Sequence, residues 1–152
     1  MGMDIALRKR LSWKSLGINF KKNWEIIKLI ETNMEHDIRP WGEYWVLEDA
    51  NTHKVKRIQV NPGGRLSLQY HHHRAEVWTI VSGIGTITIN ETIKDYREGE
   101  VAIIPQGALH RIENKTQEPV VFIEVQHGTY FGEDDIVRIE DDYNRNKHKW
   151  KK

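Results

Sequence analysis

The chain has no cysteine among its 152 residues. Disulfides, thiolate metal sites and a cysteine nucleophile are excluded by that, and a reducing compartment suits such a chain. An excess of one charge is missing too: 23 Lys and Arg stand against 22 Asp and Glu. The whole molecule therefore carries no strong field, and no nucleic-acid partner is expected. No window approaches the roughly 18 consecutive apolar residues that a membrane-spanning helix needs, so no transmembrane segment is expected. The charged start, Met1 to Arg10, is not followed by the apolar stretch of a secretory signal. A cytoplasmic protein is the expectation.

What is present divides into three regions. Residues 1–36 form an extension that is basic over its first 30 positions, with Arg8, Lys9, Arg10, Lys14, Lys21, Lys22 and Lys28 against Asp4 and Glu25. Phe20, Trp24, Ile27 and Ile30 recur there at helical spacing, which predicts one amphipathic helix over about 20–33. Such a helix packs on the rest of the fold or across a dimer interface, or lies on an acidic membrane surface. From Arg39 the pattern turns to β. Short runs rich in Val, Ile, Thr and aromatics cover 44–47, 54–60, 66–71, 77–81, 86–89, 101–104, 110–112 and 120–125. Turn signals such as Asn61-Pro-Gly-Gly64, Ser82-Gly83 and Pro105-Gln-Gly107 separate them. Many short strands at regular spacing predict an all-β barrel or sandwich over 37–143. The acidic stretch 132–142 closes it, and a basic tail, 144–152, follows and is expected to fray.

Two passages carry chemistry. In the first, Gly63 is followed by Gln69-x-His71, Glu76 and Gly83. Alternation along a strand puts Gln69, His71 and His73 on one face. Glu76 follows an expected bend at Arg74-Ala75 and turns back to them. An amide oxygen, imidazoles and a carboxylate converging in this way suit a borderline or hard divalent ion. In the second, Gly99 precedes Pro105-x-Gly107, His110 and Asn114. The Pro-Gly turn lets His110 open the next strand and supply a ligand from across the barrel. His36, His53, His127 and His148 have no such company and read as ordinary residues.

These passages match the two cupin motifs at every defining position, with a short intermotif stretch, 84–98. The resemblance implies a double-stranded β-barrel, or jelly roll, with one divalent metal ion held by Gln69, His71, Glu76 and His110. Histidine is commoner than glutamine at the first position, and His73 is the alternative ligand. Zinc, manganese, nickel, cobalt and iron all accept such a set. A closer likeness covers about 39–143. Arg39-Pro-Trp-Gly42, Lys54-Val-Lys-Arg-Ile58, Leu66 to Glu76 and Gly132-Glu-Asp-Asp-Ile-Val-Arg138 resemble the type II phosphomannose isomerase domain. That domain usually forms the C-terminal part of bifunctional enzymes with a mannose-1-phosphate guanylyltransferase half. These 152 residues hold no glycine-rich nucleotide loop, and guanylyl transfer is not expected of them. One departure stands out: the family usually has Glu-His-Trp, and this chain has Glu76-Val77-Trp78.

The resemblance implies interconversion of mannose 6-phosphate and fructose 6-phosphate through an enediol. A group near the metal must move a proton between C2 and C1, and His73 and Glu76 are the candidates. The substrate phosphate needs fixed cations; Arg74, Arg65 and Arg57, with Lys56, are the candidates, Arg74 foremost because the family places an arginine after its histidines. Trp41, Trp45 and Trp78 read as core, with Trp78 also able to wall the pocket. Two other functions fit the same residues: a non-catalytic sugar-binding cupin, towards which Val77 points, and a cupin enzyme for another sugar phosphate. A homodimer is expected, because pairing protects open sheet edges.

Overall fold

The computed structural model describes residues 35–145; the helix expected over 20–33 and most of the basic tail lie outside them. Eleven strands are found there: β1 (His36–Arg39), β2 (Gly42–Asp49), β3 (His53–Val60), β4 (Leu68–His71), β5 (Arg74–Ser82), β6 (Ile84–Ile89), β7 (Thr92–Arg97), β8 (Val101–Ile104), β9 (His110–Glu113), β10 (Val120–Gly128) and β11 (Ile136–Glu140). A 3-10 turn, Glu133–Asp135, leads into β11. All pairings are antiparallel, in a six-stranded sheet of order β1-β2-β3-β10-β5-β8 and a five-stranded sheet of order β11-β4-β9-β6-β7.

The three central strands of the larger sheet show how the sequence divides the interior. Their inward residues alternate strictly, as a strand buried on one face requires. On β3 they are Lys54, Lys56, Ile58 and Val60; on β5, Arg74, Glu76, Trp78 and Ile80; on β10, Val120, Phe122, Glu124 and Gln126. Each strand is thus apolar at one end and charged or polar at the other. Register then gathers like with like. Phe122 lies opposite Ile58 and Ile80, while Gln126 lies opposite Lys54 and Glu76. One end of the barrel becomes a core of Ile58, Val60, Trp78, Ile80, Ile87, Ile112, Val120 and Phe122. The other becomes a polar pocket. Complete burial of Trp78 and Phe122 stabilises the core by roughly 1.5–3 kcal/mol for each such side chain.

Two motif positions serve this frame. Gly83 ends β5 at φ +81°, where a Cβ would also meet the Pro119 carbonyl oxygen at 2.6 Å, so only glycine fits. Asn114 donates to the carbonyls of Val60 and Glu118, and its own oxygen accepts from Thr116. It is a buried splice between loops, remote in kind from metal chemistry.

Candidate metal centre and pocket

His71 ends β4, Glu76 lies on β5 and His110 opens β9, so three strands bring their side chains together. All three are almost fully buried, and one potential ligand atom from each lies within 4.8 Å of the other two. The Nε2 atoms of His71 and His110 approach the two carboxylate oxygens of Glu76 at 3.0 and 3.5 Å, but neither has a hydrogen-bonding partner. Each ring is held from its far side: His110 Nδ1 contacts the Ala108 carbonyl at 2.8 Å and His71 Nδ1 that of Asp135 at 3.4 Å. A carbonyl can only accept, so these Nδ1 atoms carry protons. In the neutral rings both Nε2 lone pairs then face an anion.

A divalent cation between them would satisfy all three groups at once, and the donor set of two imidazoles and a carboxylate suits one. The carboxylate and the His110 ring also shift each other's ionisation. Burial pushes the Glu76 carboxyl up, but the nearby His110 and His71 outweigh it and hold the group well below the usual range. Burial likewise works against charge on His110, and Glu76 overrides it and raises the ring.

Glu76 is also braced by its own strand. Trp78 donates from Nε1 to one carboxylate oxygen at 3.0 Å and Arg74 from Nε to the other at 3.2 Å. Residues two apart on β5 share a face, so Arg74, Glu76 and Trp78 form a built unit. Arg74 also donates to the Gly132 carbonyl at 3.0 Å and lies 3.8 Å from Asp135.

Glu76 joins this cluster to an open pocket lined among others by Gln69, Arg74, Glu124 and Gln126. Gln69 lies opposite His110 in the β4–β9 register, and its amide oxygen accepts from Ser67. It therefore stands beside the three ligand candidates.

Other expected site residues fall elsewhere. The bend comes at His72-His73 and not at Arg74-Ala75, because β4 stops at His71. Alternation stops with it, and His73 leaves the face of Gln69 and His71. Its side chain is 56% exposed and its Nδ1 is 2.8 Å from Asp135, outside the cluster. Arg57 is on the outer parity of β3, stacked over Trp45. Arg65 makes a bidentate pair with Asp142 at 2.7 Å and is not part of the pocket lining. Trp45 is an outer-face residue sandwiched by Arg57 and His36; Trp41 lines the pocket. Val77 is on the outer parity of β5, opposite Ile103 and Val125, so the family's histidine at this position would face away from the pocket.

Sequence reasoning missed Glu124 and Gln126. They share parity with Val120 and Phe122, and a carboxylate on the apolar parity of a strand was a legible signal. Glu124 accepts from Gln126 at 2.6 Å. Burial first, and the Glu76 charge second, raise its pKa from 4.5 to about 7 against the pull of Lys56 and Arg74.

The loop after β10 closes over the cluster through Asp135. Its buried carboxylate accepts the backbone N–H groups of His72 and His73, both at 3.2 Å. Burial raises this carboxyl, but hydrogen bonds from His73 and His72 and the charge of Arg74 win and lower it. A depressed carboxyl stabilises the fold above its unfolded pKa, and that contribution disappears as pH falls through the folded value. Asp135→Ala is expected to cost about 2–4 kcal/mol, since buried donors lose their acceptor. Urea melts at pH 7 would show it, and the gap between the two proteins should narrow in acid below about pH 4.

A family model described as mannose-6-phosphate isomerase C-terminal matches residues 28–141. Among curated proteins, the chain is 50% identical over 107 residues to the xanthan biosynthesis protein XanB of Xanthomonas campestris, 70% of this chain and 23% of that protein. It is 47% identical over 116 residues to the mannose-1-phosphate guanylyltransferase ManC of Salmonella typhimurium, 76% of this chain and 24% of that one. The chain thus spans about a quarter of the length of these relatives. Among solved structures, a Klebsiella pneumoniae protein with a double-stranded β-helix domain aligns with TM-score 0.57 at 23% identity, covering 64% of this chain and 83% of its own. A cupin-2 domain protein of Rhodospirillum rubrum aligns with TM-score 0.56 at 18% identity, covering 67% and 78%. These two bear out the cupin fold. With three quarters of its length matched by one model, the chain belongs to the mannose-6-phosphate isomerase C-terminal family.

Proposed function

We propose that this domain interconverts mannose 6-phosphate and fructose 6-phosphate with the help of one divalent metal ion. The observation that carries the reading is a single pocket where Glu76, shared with two orphaned imidazoles, meets a second buried carboxyl, Glu124, and several arginines. His71, Glu76 and His110, with Gln69, would hold the ion, which when bound supplies Lewis-acid polarisation of the sugar carbonyl. Arg74 and Trp78 keep the Glu76 carboxylate in place for that. Glu124 is the proton carrier in this reading: it takes the proton from C2 of the aldose and returns it to C1, while hydroxyl protons exchange between O1 and O2. A carboxyl can serve both halves of that transfer, first as base and then as acid. His73, bonded to Asp135 outside the cluster, is not needed.

The name of the family supports the isomerase reading, and the names of XanB and of alginate biosynthesis relatives support a role in polysaccharide precursor supply. A homodimer belongs to the same proposal, since the edge strand β8 carries exposed Val101 and Ile103 that a second copy would cover.

The test is a coupled assay of mannose 6-phosphate conversion with protein stripped of metal and reloaded with each divalent ion. Restored turnover is the expected result. A folded protein that binds metal but turns over nothing would refute it. Val77→His, which restores the family's residue on the outer face, is expected to change kcat and KM by less than about twofold.

A further inference from the structure

An antiparallel sheet with one face on the core commonly turns polar residues outward on the other. The smaller sheet follows that rule. On the parity opposite the core residue Ile87, Thr86 faces Asp95 and Glu113, and Thr88 faces Ile93 and Arg111. The larger sheet departs from it. Its register sets Ile103, Val77, Val125 and Val55 side by side on the outer parity of β8, β5, β10 and β3. Beside them runs a second row of Val101, Thr79 and Ile123. Arg57 ends that row, its guanidinium over the Trp45 ring at 4.5 Å and donating to Gln59. Ile103 is 68% exposed, so the apolar rows continue to the sheet edge.

Single apolar residues at a surface need no explanation, but a contiguous block of them marks a covered face. Before Arg57 neither row holds a charge, so a partner recognised by charge has nothing here to pair with. A surface equally flat and uncharged fits it, and the same face of another copy is such a surface. The size agrees. The central strands are eight or nine residues long, and β1 and β8 have four residues each. Six strands about 4.8 Å apart with those lengths cover roughly 600 Å², near the ~800 Å² that one partner gives to a stable interface. Val, Ile and Thr side chains on two such pleated faces interdigitate with about 10 Å between the sheets. Val77 stands where the family usually has histidine, so in this chain no polar ring interrupts the row.

We propose that the outer face of the six-stranded sheet, centred on Val77, Ile123 and Val125, docks against the same face of a second copy of this chain. The two sheets stack about a twofold axis, and each residue meets residues of its own kind of face. This rests on the homodimer put forward with the proposed function and moves its contact from the β8 edge onto the face beside it. It uses no step of the isomerase chemistry. The inner parity of the same strands lines the pocket with Lys56, Arg74, Glu76, Glu124 and Gln126, so the second copy covers the back of these strands and leaves the pocket open.

The experiment is sedimentation of the metal-loaded full chain over about 1–100 µM, with Val125→Lys, Val125→Thr, Ile103→Lys and, as control, Ile93→Lys. Ile93 is 66% exposed and lies on the smaller sheet. The wild type and the control should sediment as dimers. Val125→Lys and Ile103→Lys bring like charges together across the axis, and each should raise the dimer dissociation constant by about a hundredfold or more. Val125→Thr keeps the branched shape and buries a hydroxyl, for about a tenfold rise. Metal content and a cooperative urea melt would show that each variant is folded. Val125 lies two strands in from the β8 edge, where edge-to-edge pairing does not reach. A dimer unchanged in both Val125 variants and lost only in Ile103→Lys would therefore overturn the face and leave edge pairing. A dimer lost in the control would overturn it in favour of the smaller sheet, and a monomeric wild type would sink the homodimer altogether. Dimers lost in the Val125 variants of a protein that shows no turnover would uphold the face and sink the isomerase reading alone.

Discussion

His110→Ala is expected to reduce bound divalent metal from about one per chain to below about a tenth, and isomerase turnover by about a hundredfold or more. The size follows from what the ring does. Partners that merely orient a ligand are worth 10–100-fold in metal affinity or activity, and His110 is the candidate ligand itself. It faces Glu76 Oε2 at 3.5 Å and is fixed by the Ala108 carbonyl. His71→Ala should behave in the same way, because its Nε2 is the other orphaned nitrogen in the cluster. Each ring also packs: His110 lies 5.5 Å from Trp78 and 5.0 Å from His71, centroid to centroid. Each alanine therefore leaves a hole and some loss of stability. Circular dichroism and a urea melt would show that the barrel persists, while inductively coupled plasma analysis counts the metal. Stoichiometric metal in both folded variants would remove the centre from these residues.

The sequence made the cluster legible because its residue types are dear to bury alone. An amide, imidazoles and a carboxylate at fixed spacings have little reason to share one strand pair unless something binds them. His73 shows the limit. Alternation placed it with His71, but alternation holds only while the strand continues, and β4 ends at His71 because Asp135 takes the His72 and His73 N–H groups. That acceptor is 62 residues from His73 in sequence, so no local pattern announces it. Each of the eight runs read as strands holds a strand, though Leu66 and Ser67 of the run 66–71 precede β4. The three that were missed, β1, β7 and β11, lie at sheet edges. β7, Thr92–Arg97, is exposed along nearly its whole length, so it has no buried parity to detect. β11 was hidden inside an acidic stretch, though its Ile136-Val137-Arg138 pairs residue by residue with β4. Of the phosphate candidates, Arg74 lines the pocket and Arg65 and Arg57 do not. Proximity to the histidines in sequence favoured Arg74 and Arg65, whereas the pocket's other arginines come from β1, β11 and the segment after it.

Glu124→Gln is expected to lower kcat by about a hundredfold to ten-thousandfold, the usual worth of a positioned acid–base group, with metal content and mannose 6-phosphate affinity within about twofold of the wild type. Glutamine keeps the shape and can still meet Gln126, but it carries no proton to and fro. A second readout separates this role from a structural one. The buried carboxyl has its pKa raised from 4.5 to about 7, so in the folded, metal-free protein it resists ionisation. Below about pH 4.5 the group is protonated in both states and costs nothing. As pH rises from there to 7 the unfolded chain ionises first, and the fold loses stability, by roughly 3 kcal/mol once pH exceeds 7. The Gln variant has no such loss. Metal-free Glu124→Gln should therefore gain on the wild type in urea melts as pH goes from 5 to 8, while its loaded form stays nearly inactive. A variant with full turnover would return the proton transfer to Glu76. One that is inactive yet shows no relative gain in stability with pH would mean that Glu124 is ionised at neutrality and serves as a fixed charge for Lys56.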